Sequence, residues 1–169
     1  MNAQGGYYGN ALQAASYRGH EGIVNLVLEK GANVNGQGGY SGNALQAASY
    51  RGHEGIVNLL LEKGANVNAQ GGDFGNALQA ASFRGREGIV CLLLEKGANV
   101  NAQGGRFENA LQAASFRGHE GIVNLLLEKG AQVNELAISE ASTRTIAKLL
   151  MEAKQSQQSS SAVIAASST

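Results

Sequence analysis

The heptapeptide Asn-Ala-Leu-Gln-Ala-Ala-Ser occurs four times, starting at Asn10, Asn43, Asn76 and Asn109, each copy 33 residues after the last. A period that short describes one supersecondary unit, too small to bury its own apolar face, so the copies must stack and share a continuous core. The chain is therefore a linear array. Function is to be sought where the copies differ.

In the second copy Asn43 precedes Ala44 to Arg51, a run of helix formers stopped by Gly52. Asn is a favoured N-cap and Gly a favoured stop, so the pattern predicts a two-turn helix. The run Glu54 to Lys63, apolar along most of its length and ended by Gly64, predicts a second helix buried on more than one side. Residues 65–75 are rich in turn formers and connect to the next copy as an extended, hairpin-like loop. The first helix presents alanine and serine, the second leucine, isoleucine and valine. Stacking thin inner helices beside thick outer ones curves the array, with first helices and loops on the concave side as the natural binding surface.

Gly52-His53, Ile56-Val57, Leu59-Leu60-Leu61 and Gly64-Ala65-Asn66-Val67-Asn68 recur in register in the other copies. In these residues the unit resembles the ankyrin repeat, over residues 2 to 134. That resemblance implies an all-α solenoid of stacked helix-turn-helix units with hairpin-like loops. One departure is consistent: Asn76-Ala77-Leu78-Gln79 stands where the family usually has Thr-Pro-Leu-His. Asn serves as the cap, Ala fills the first helical position, and the Gln amide both donates and accepts as a histidine would. The wider pattern Gly-Gly-x-x-Gly-Asn-Ala-Leu-Gln-Ala-Ala-Ser is similar to the ankyrin arrays of fungal NOD-like, NTPase-containing receptors. It implies a ligand-sensing portion of a larger receptor.

The organisation expected is four repeats in 1–134, preceded by a partial loop unit, then capping helices in 135–154 and a Gln/Ser-rich flexible tail in 155–169. Within the tail, Ala162 to Ser167 echo the first helix of a unit and are expected to dock on the cap. The first copy has no cap of its own, which points to an excised fragment or to a face that stacks on another molecule.

Thirteen basic and thirteen acidic residues balance, which disfavours binding driven by net charge, whether to nucleic acid or to an anionic membrane. The single cysteine, Cys91, and the absence of an Asn-x-Ser/Thr acceptor lead to an expectation of a reduced, cytoplasmic setting. No Gly-Lys pair offers a phosphate loop, and Gly36 to Gly42 match a dinucleotide fingerprint only loosely. His20, His53 and His119 share one position of the unit with Arg86. Units stack about 8–10 Å apart, too far for these imidazoles to share a metal, so they read as loop braces. No enzyme activity, cofactor or metal is expected.

The nine aromatic residues fall at three positions of the unit. Tyr17, Tyr50, Phe83 and Phe116 end the first helix, and each is followed by an arginine: Arg18, Arg51, Arg84 and Arg117. Tyr8, Phe74 and Phe107 follow the loop tip and are expected to pack between loops. The tip itself reads Tyr7, Tyr40, Asp73 and Arg106, and the position before the cap reads Gly9, Gly42, Gly75 and Glu108. Tyr and Arg are enriched at interface hot spots, so the aromatic-arginine ladder and the variable tips are the candidate contacts of a protein or peptide partner. An ion pair from each Arg to the Glu three residues on, such as Arg51 with Glu54, is the structural alternative. A non-enzymatic recognition module is the leading expectation, with the chain a monomer and the sensing fragment and a self-stacking spacer as alternatives. Replacing Tyr50 and Arg51 by Ala is expected to weaken binding and leave folding intact.

Overall fold

The computed structural model of the chain describes residues 6–166, with side chains as far as Val163. The elements run α1 Ala11–Arg18, α2 Glu21–Glu29, α3 Ala44–Arg51, α4 Glu54–Glu62, α5 Ala77–Phe83, α6 Glu87–Glu95, α7 Ala110–Arg117, α8 Glu120–Glu128, α9 Glu135–Ser139 and α10 Arg144–Ala166. Among the described residues there is no extended sheet. Only isolated bridges close the loops, Gly38 with Gly42 and Gly71 with Gly75.

The repeated heptapeptide builds each inner helix from its own side chains. Asn10, Asn43, Asn76 and Asn109 each accept the N–H of the Gln three residues on through their side-chain oxygen, at 2.8–3.0 Å. Gln46 Oε1 returns the bond by accepting the Asn43 N–H at 2.9 Å, and Gln13 does the same for Asn10. The other end of that amide ties one unit to the next: Gln46 Nε2 donates to the carbonyls of Gly71 and Gly75 at 3.1 and 2.9 Å. Leaving such a buried amide or carbonyl unpaired costs about 1–3 kcal/mol, so one residue fixes both helix start and loop register.

Helix ends are matched in the same way. Gly19 and Gly52 adopt the left-handed conformation that closes α1 and α3, with φ of 80° and 90°. Beyond Gly19 the next unit's His53 sits so close that a Cβ there would lie 2.6 Å from the imidazole. His53 Nε2 is 3.2 Å from the Tyr17 carbonyl, and His119 Nε2 is 3.2 Å from that of Phe83, so the Nε2-protonated tautomer donates to the last turn of the preceding inner helix. On the opposite side Asn35 accepts the Asn66 N–H at 2.8 Å and donates to the Gly64 carbonyl at 3.1 Å, a bridge that Asn68 and Asn101 repeat.

Inner helices α1, α3, α5 and α7 pack against one another far more extensively than do outer helices α2, α4, α6 and α8. Alanines at the inner contacts, Ala47, Ala48, Ala80, Ala81, Ala113 and Ala114, are buried and let the backbones approach. Leu60, Leu93 and Leu126 are buried between the two columns. Each such leucine contributes roughly 1.5–3 kcal/mol by leaving water. In the first unit the receiving face lies open: Ile23 and Leu26 are 49% and 52% exposed, whereas the equivalent Ile56, Ile89 and Ile122 are buried.

Helices α9 and α10 close the other end, with Ile146 and Leu150 buried against the array and Lys154 paired with Glu135. Here the structure departs from the sequence reading. The Gln/Ser tract expected to be a flexible tail continues α10 without a break to Ala166. Serine hydroxyls bond back to carbonyls four residues earlier, as Ser159 does to Gln155 at 2.9 Å, and so add no competing local structure. Gln157 holds the helix to the array by donating to the Ala131 carbonyl at 2.8 Å and accepting the Val133 N–H at 3.1 Å. Nor does the start of the echoed segment dock: Ala162 and Val163 extend α10, and Val163 is 69% exposed. Ser167, at its end, lies outside the described residues.

Candidate recognition groove

Loops and inner helices meet at an angle, and the aromatic side chains fill it. All nine rings form one connected column. Tyr8 packs on Tyr17 with ring centroids 5.1 Å apart, and Tyr17 stacks on Tyr50 at 6.4 Å. The column then zigzags through Phe74, Phe83, Phe107 and Phe116 at spacings of 4.8–5.3 Å. Phe74 and Phe107 are buried and, with Ala80 and Ala113, make a second apolar cluster apart from the main core. These two wedge between the helix-end rings of successive units, Phe74 between Tyr50 and Phe83 and Phe107 between Phe83 and Phe116, where the sequence suggested packing from loop to loop. Tyr40, Tyr50 and Phe83 are half-buried against that cluster, whereas Tyr7 and Phe116 are 54% and 44% exposed.

The arginines do not pair as the sequence suggested. Arg51 lies over Tyr17, Arg84 over Tyr50 and Arg117 over Phe83, with the guanidinium carbon 4.8, 4.9 and 4.7 Å from the ring centroid. Each arginine covers the helix-end ring of the unit before it and not its own neighbour in sequence. Arg18, in the first unit, turns to Tyr8, with its carbon 5.4 Å from the centroid and Nη2 donating to the hydroxyl at 3.3 Å. At exposed sites such stacks contribute about 0.5–1 kcal/mol each. The alternative pairing of Arg51 with Glu54 is not formed. Among the described residues the ion pairs are Lys148 with Glu152 and Lys154 with Glu135. Glu54 begins the outer helix and its carboxylate lies beside Gly88 of the next unit, where a Cβ would come within 2.4 Å of Oε1.

Loop tips form a second strip along the groove. The N–H of Tyr40 donates to the carbonyl of Tyr7 at 2.8 Å, Asp73 to Tyr40 at 3.0 Å, and Arg106 to Asp73 at 2.9 Å. Backbone thereby fixes the tips while leaving their side chains free to vary. Tyr7 and Tyr40 stack with centroids 5.0 Å apart, and the Tyr40 hydroxyl donates to Asp73 Oδ2 at 2.8 Å. Burial first, then this hydrogen bond and the carboxylate charge, push Tyr40 from the ordinary tyrosine value of 10.0 up to about 12. Arg106 lies over Phe107 at 5.7 Å.

Glu108 has a structural reason that the sequence hid. It takes a left-handed φ of 55°, at the place where Gly42 and Gly75 have 84° and 83°. A Cβ at Gly75 would meet Gln79 Oε1 at 2.1 Å and the Gly104 carbonyl carbon of the next loop at 2.8 Å. No loop of that kind follows the fourth unit, because α9 occupies the place, and the space for a side chain opens. The sequence reading also missed Tyr8 as a partner of Arg18. Its clue was the recurrence of an aromatic two residues before the cap.

Cys91 is half-buried on α6. Among the described residues no cluster of three or more His, Cys, Asp and Glu side chains could hold a metal ion, and no helix is long and apolar enough to cross a membrane. A trough of about 820 Å³ lies open between Gly130, Gln132 and Val133 and the stretch of α10 from Lys154 to Ser161, away from the aromatic column. Its serine and glutamine walls offer no convergent charge.

Among known proteins, the family described as ankyrin repeats (3 copies) matches this sequence twice, over residues 1–71 and 70–137. A curated relative, azaphilone pigments biosynthesis cluster protein L of Monascus ruber, is 59% identical over 34 residues, which are 20% of this chain and 7% of that protein. The chain thus spans only a small part of the length of that relative. With helix-turn-helix units stacked at the period seen in the sequence and matched over most of its length, the chain belongs to the ankyrin repeat family.

Proposed function

We propose that this chain is a non-enzymatic recognition module that binds a protein or peptide along the groove floored by the aromatic column. Ankyrin repeats are in general protein-interaction modules, and the observation that carries the reading here is the row of exposed guanidiniums held flat on rings. Arg18, Arg51 and Arg117 are exposed yet already oriented, so binding orders them at little further entropic cost. Tyr7, Phe116 and Arg106 add exposed contact area beside them. Tyr17, Tyr50, Phe83, Tyr40 and Asp73 support that surface and line it in part.

The test is selection of peptides from a random displayed library on the full chain, followed by titration of the selected peptides against R51A/F116A. Both residues are exposed, so the variant keeps its fold. Binding weakened by about tenfold or more is expected for loss of two such anchors; undiminished affinity contradicts the groove. The proposed context is a ligand-sensing portion of a larger fungal NOD-like receptor. It is supported by the Gly-Gly-x-x-Gly-Asn-Ala-Leu-Gln-Ala-Ala-Ser pattern and by the match to a segment of a much longer fungal protein. A transcript encoding an NTPase module in the same reading frame is its expected outcome, and a transcript without one opposes it. Self-stacking has a separate support in the open face of Ile23 and Leu26. Sedimentation of a concentration-dependent dimer abolished by I23K would favour it, and a monomer at high concentration would oppose it.

A further inference from the structure

The groove reading leaves the chemistry of the partner open, and the arrangement of the arginines narrows it. Arg18, Arg51, Arg84 and Arg117 stand at the same position of four successive units, each held by a ring of its own or the preceding unit. None of the four is paired with a carboxylate among the described residues. Nearby acids are otherwise engaged or set apart: Asp73 accepts the Tyr40 hydroxyl, Glu140 accepts from the Gln112 amide, Glu54 turns to Gly88 of the next unit, and Glu108 is exposed at the last tip on the loop side. The result is a row of four cations on the helix side of a groove in a chain whose net charge is zero. Its pitch is one helix-packing distance, about 8–10 Å.

Resting on the groove reading, we propose that this row recognises an extended acidic polypeptide segment with a carboxylate at every third residue. In the polyproline II conformation three residues advance roughly 9 Å and return the side chain to the same face. Every third carboxylate then meets the next guanidinium, which presents planar N–H donors suited to bidentate contact. The partner's intervening residues face the loop tips, where Tyr7, Tyr40 and Arg106 vary from unit to unit. Single-stranded nucleic acid fits less well, because stacking of bases requires free ring faces. Here the rings from Tyr17 to Phe107 are engaged by one another and by guanidiniums, and exposed Tyr7 and Phe116 stand at opposite ends of the column.

The test uses labelled peptides of about twelve residues, with Glu at every third position between Pro and Ala, followed by fluorescence anisotropy on the full chain. A same-composition isomer with the Glu residues in one block, a Gln version and an oligothymidylate complete the set. The spaced peptide is expected to bind about fivefold or more tightly than the block isomer, to weaken with salt, and to lose roughly tenfold on R51Q/R117Q. R51K/R117K, which keeps the charge, restores part of that loss. Equal affinity for the spaced and Gln peptides, equal or better binding of the block isomer, or tighter binding of the oligothymidylate would overturn the proposal. Library-selected peptides that need Arg51 and Phe116 but carry no spaced acids would overturn it too, while leaving the groove reading in place. Selected peptides indifferent to both residues would instead defeat the groove itself.

Discussion

Glu108 shows how position in the array decides what a residue costs. Its left-handed backbone is strained for any side chain, by about 1–2 kcal/mol, but nothing of a following loop crowds it. Glu108→Gly is therefore expected to raise stability by about 0.5–1 kcal/mol, part of the gain being offset by the freer unfolded chain. Gly75→Glu has both the strain and the clash with Gln79 and Gly104, and a loss of roughly 2 kcal/mol or more is expected. Urea unfolding of the two variants checks the contrast; equal effects would contradict it. Tyr40 gives a second test. Its folded value is raised, so the fold favours the neutral phenol: that stability is fully present below pH 10 and is lost as pH rises toward about 12. Asp73→Asn removes the charge and weakens the bond, so tyrosinate absorbance should appear at lower pH than in the native chain. An unchanged titration would deny the link. The same residues revise the substitution that isolates binding. Tyr50 stacks on Tyr17 and Phe74 and carries Arg84 on its face, so truncating it to Ala costs packing as well as contact. Exposed Phe116 and Arg51 are the cleaner choice.

Within each unit, most of the structure could be read in advance because cap, stop and apolar period agree. Asn43, Gly52 and the run from Glu54 mark the same helices that form, and the inner helices take the alanine-rich face as their contact. What could not be read is any bond that crosses units, since the period says that units stack but not which atom meets which. The Gln amide is one case. Gln46→Ala is expected to cost about 2–3 kcal/mol, for it strands the Asn43 N–H and takes the side-chain donor from the Ala69 and Gly71 carbonyls, while Gly75 keeps the Gly71 N–H. Gln112→Ala, whose amide reaches only Glu140, should cost less than about 1 kcal/mol. Similar losses would show that loop bridging is not the amide's work. The tail is the other case. Composition placed Gln155 to Ser161 in a loose segment, but α10 is already nucleated by buried Ile146 and Leu150 and pinned by Gln157. Gln157→Ala should speed amide exchange from Ser156 to Ala162 severalfold and leave α8 unchanged.

The whole molecule works as a one-dimensional stack in which each unit is held by its neighbours. Central helices α3 to α6, flanked on both sides, are expected to exchange amide hydrogens most slowly, with α1 and α2 fastest because their receiving face is open. The candidate site was legible in sequence only in its residue types and spacing. Tyr17 and Arg18 and their counterparts announced a ladder, but the register by which Arg51 covers Tyr17 and not Tyr50 belongs to the stacking and not to the chain order. That register holds the guanidiniums in a row, and the row is what the proposed partner would meet in the groove. The most direct measurement is amide and methyl NMR of the full chain titrated with a library-selected peptide. Shifts should concentrate at Tyr17–Gly19, Tyr50–Gly52, Phe83–Gly85 and Phe116–Gly118 and at tips Tyr7, Tyr40, Asp73 and Arg106, with outer helices α2, α4, α6 and α8 silent. Shifts confined to those outer helices or to the trough beside Gln157 would contradict the account.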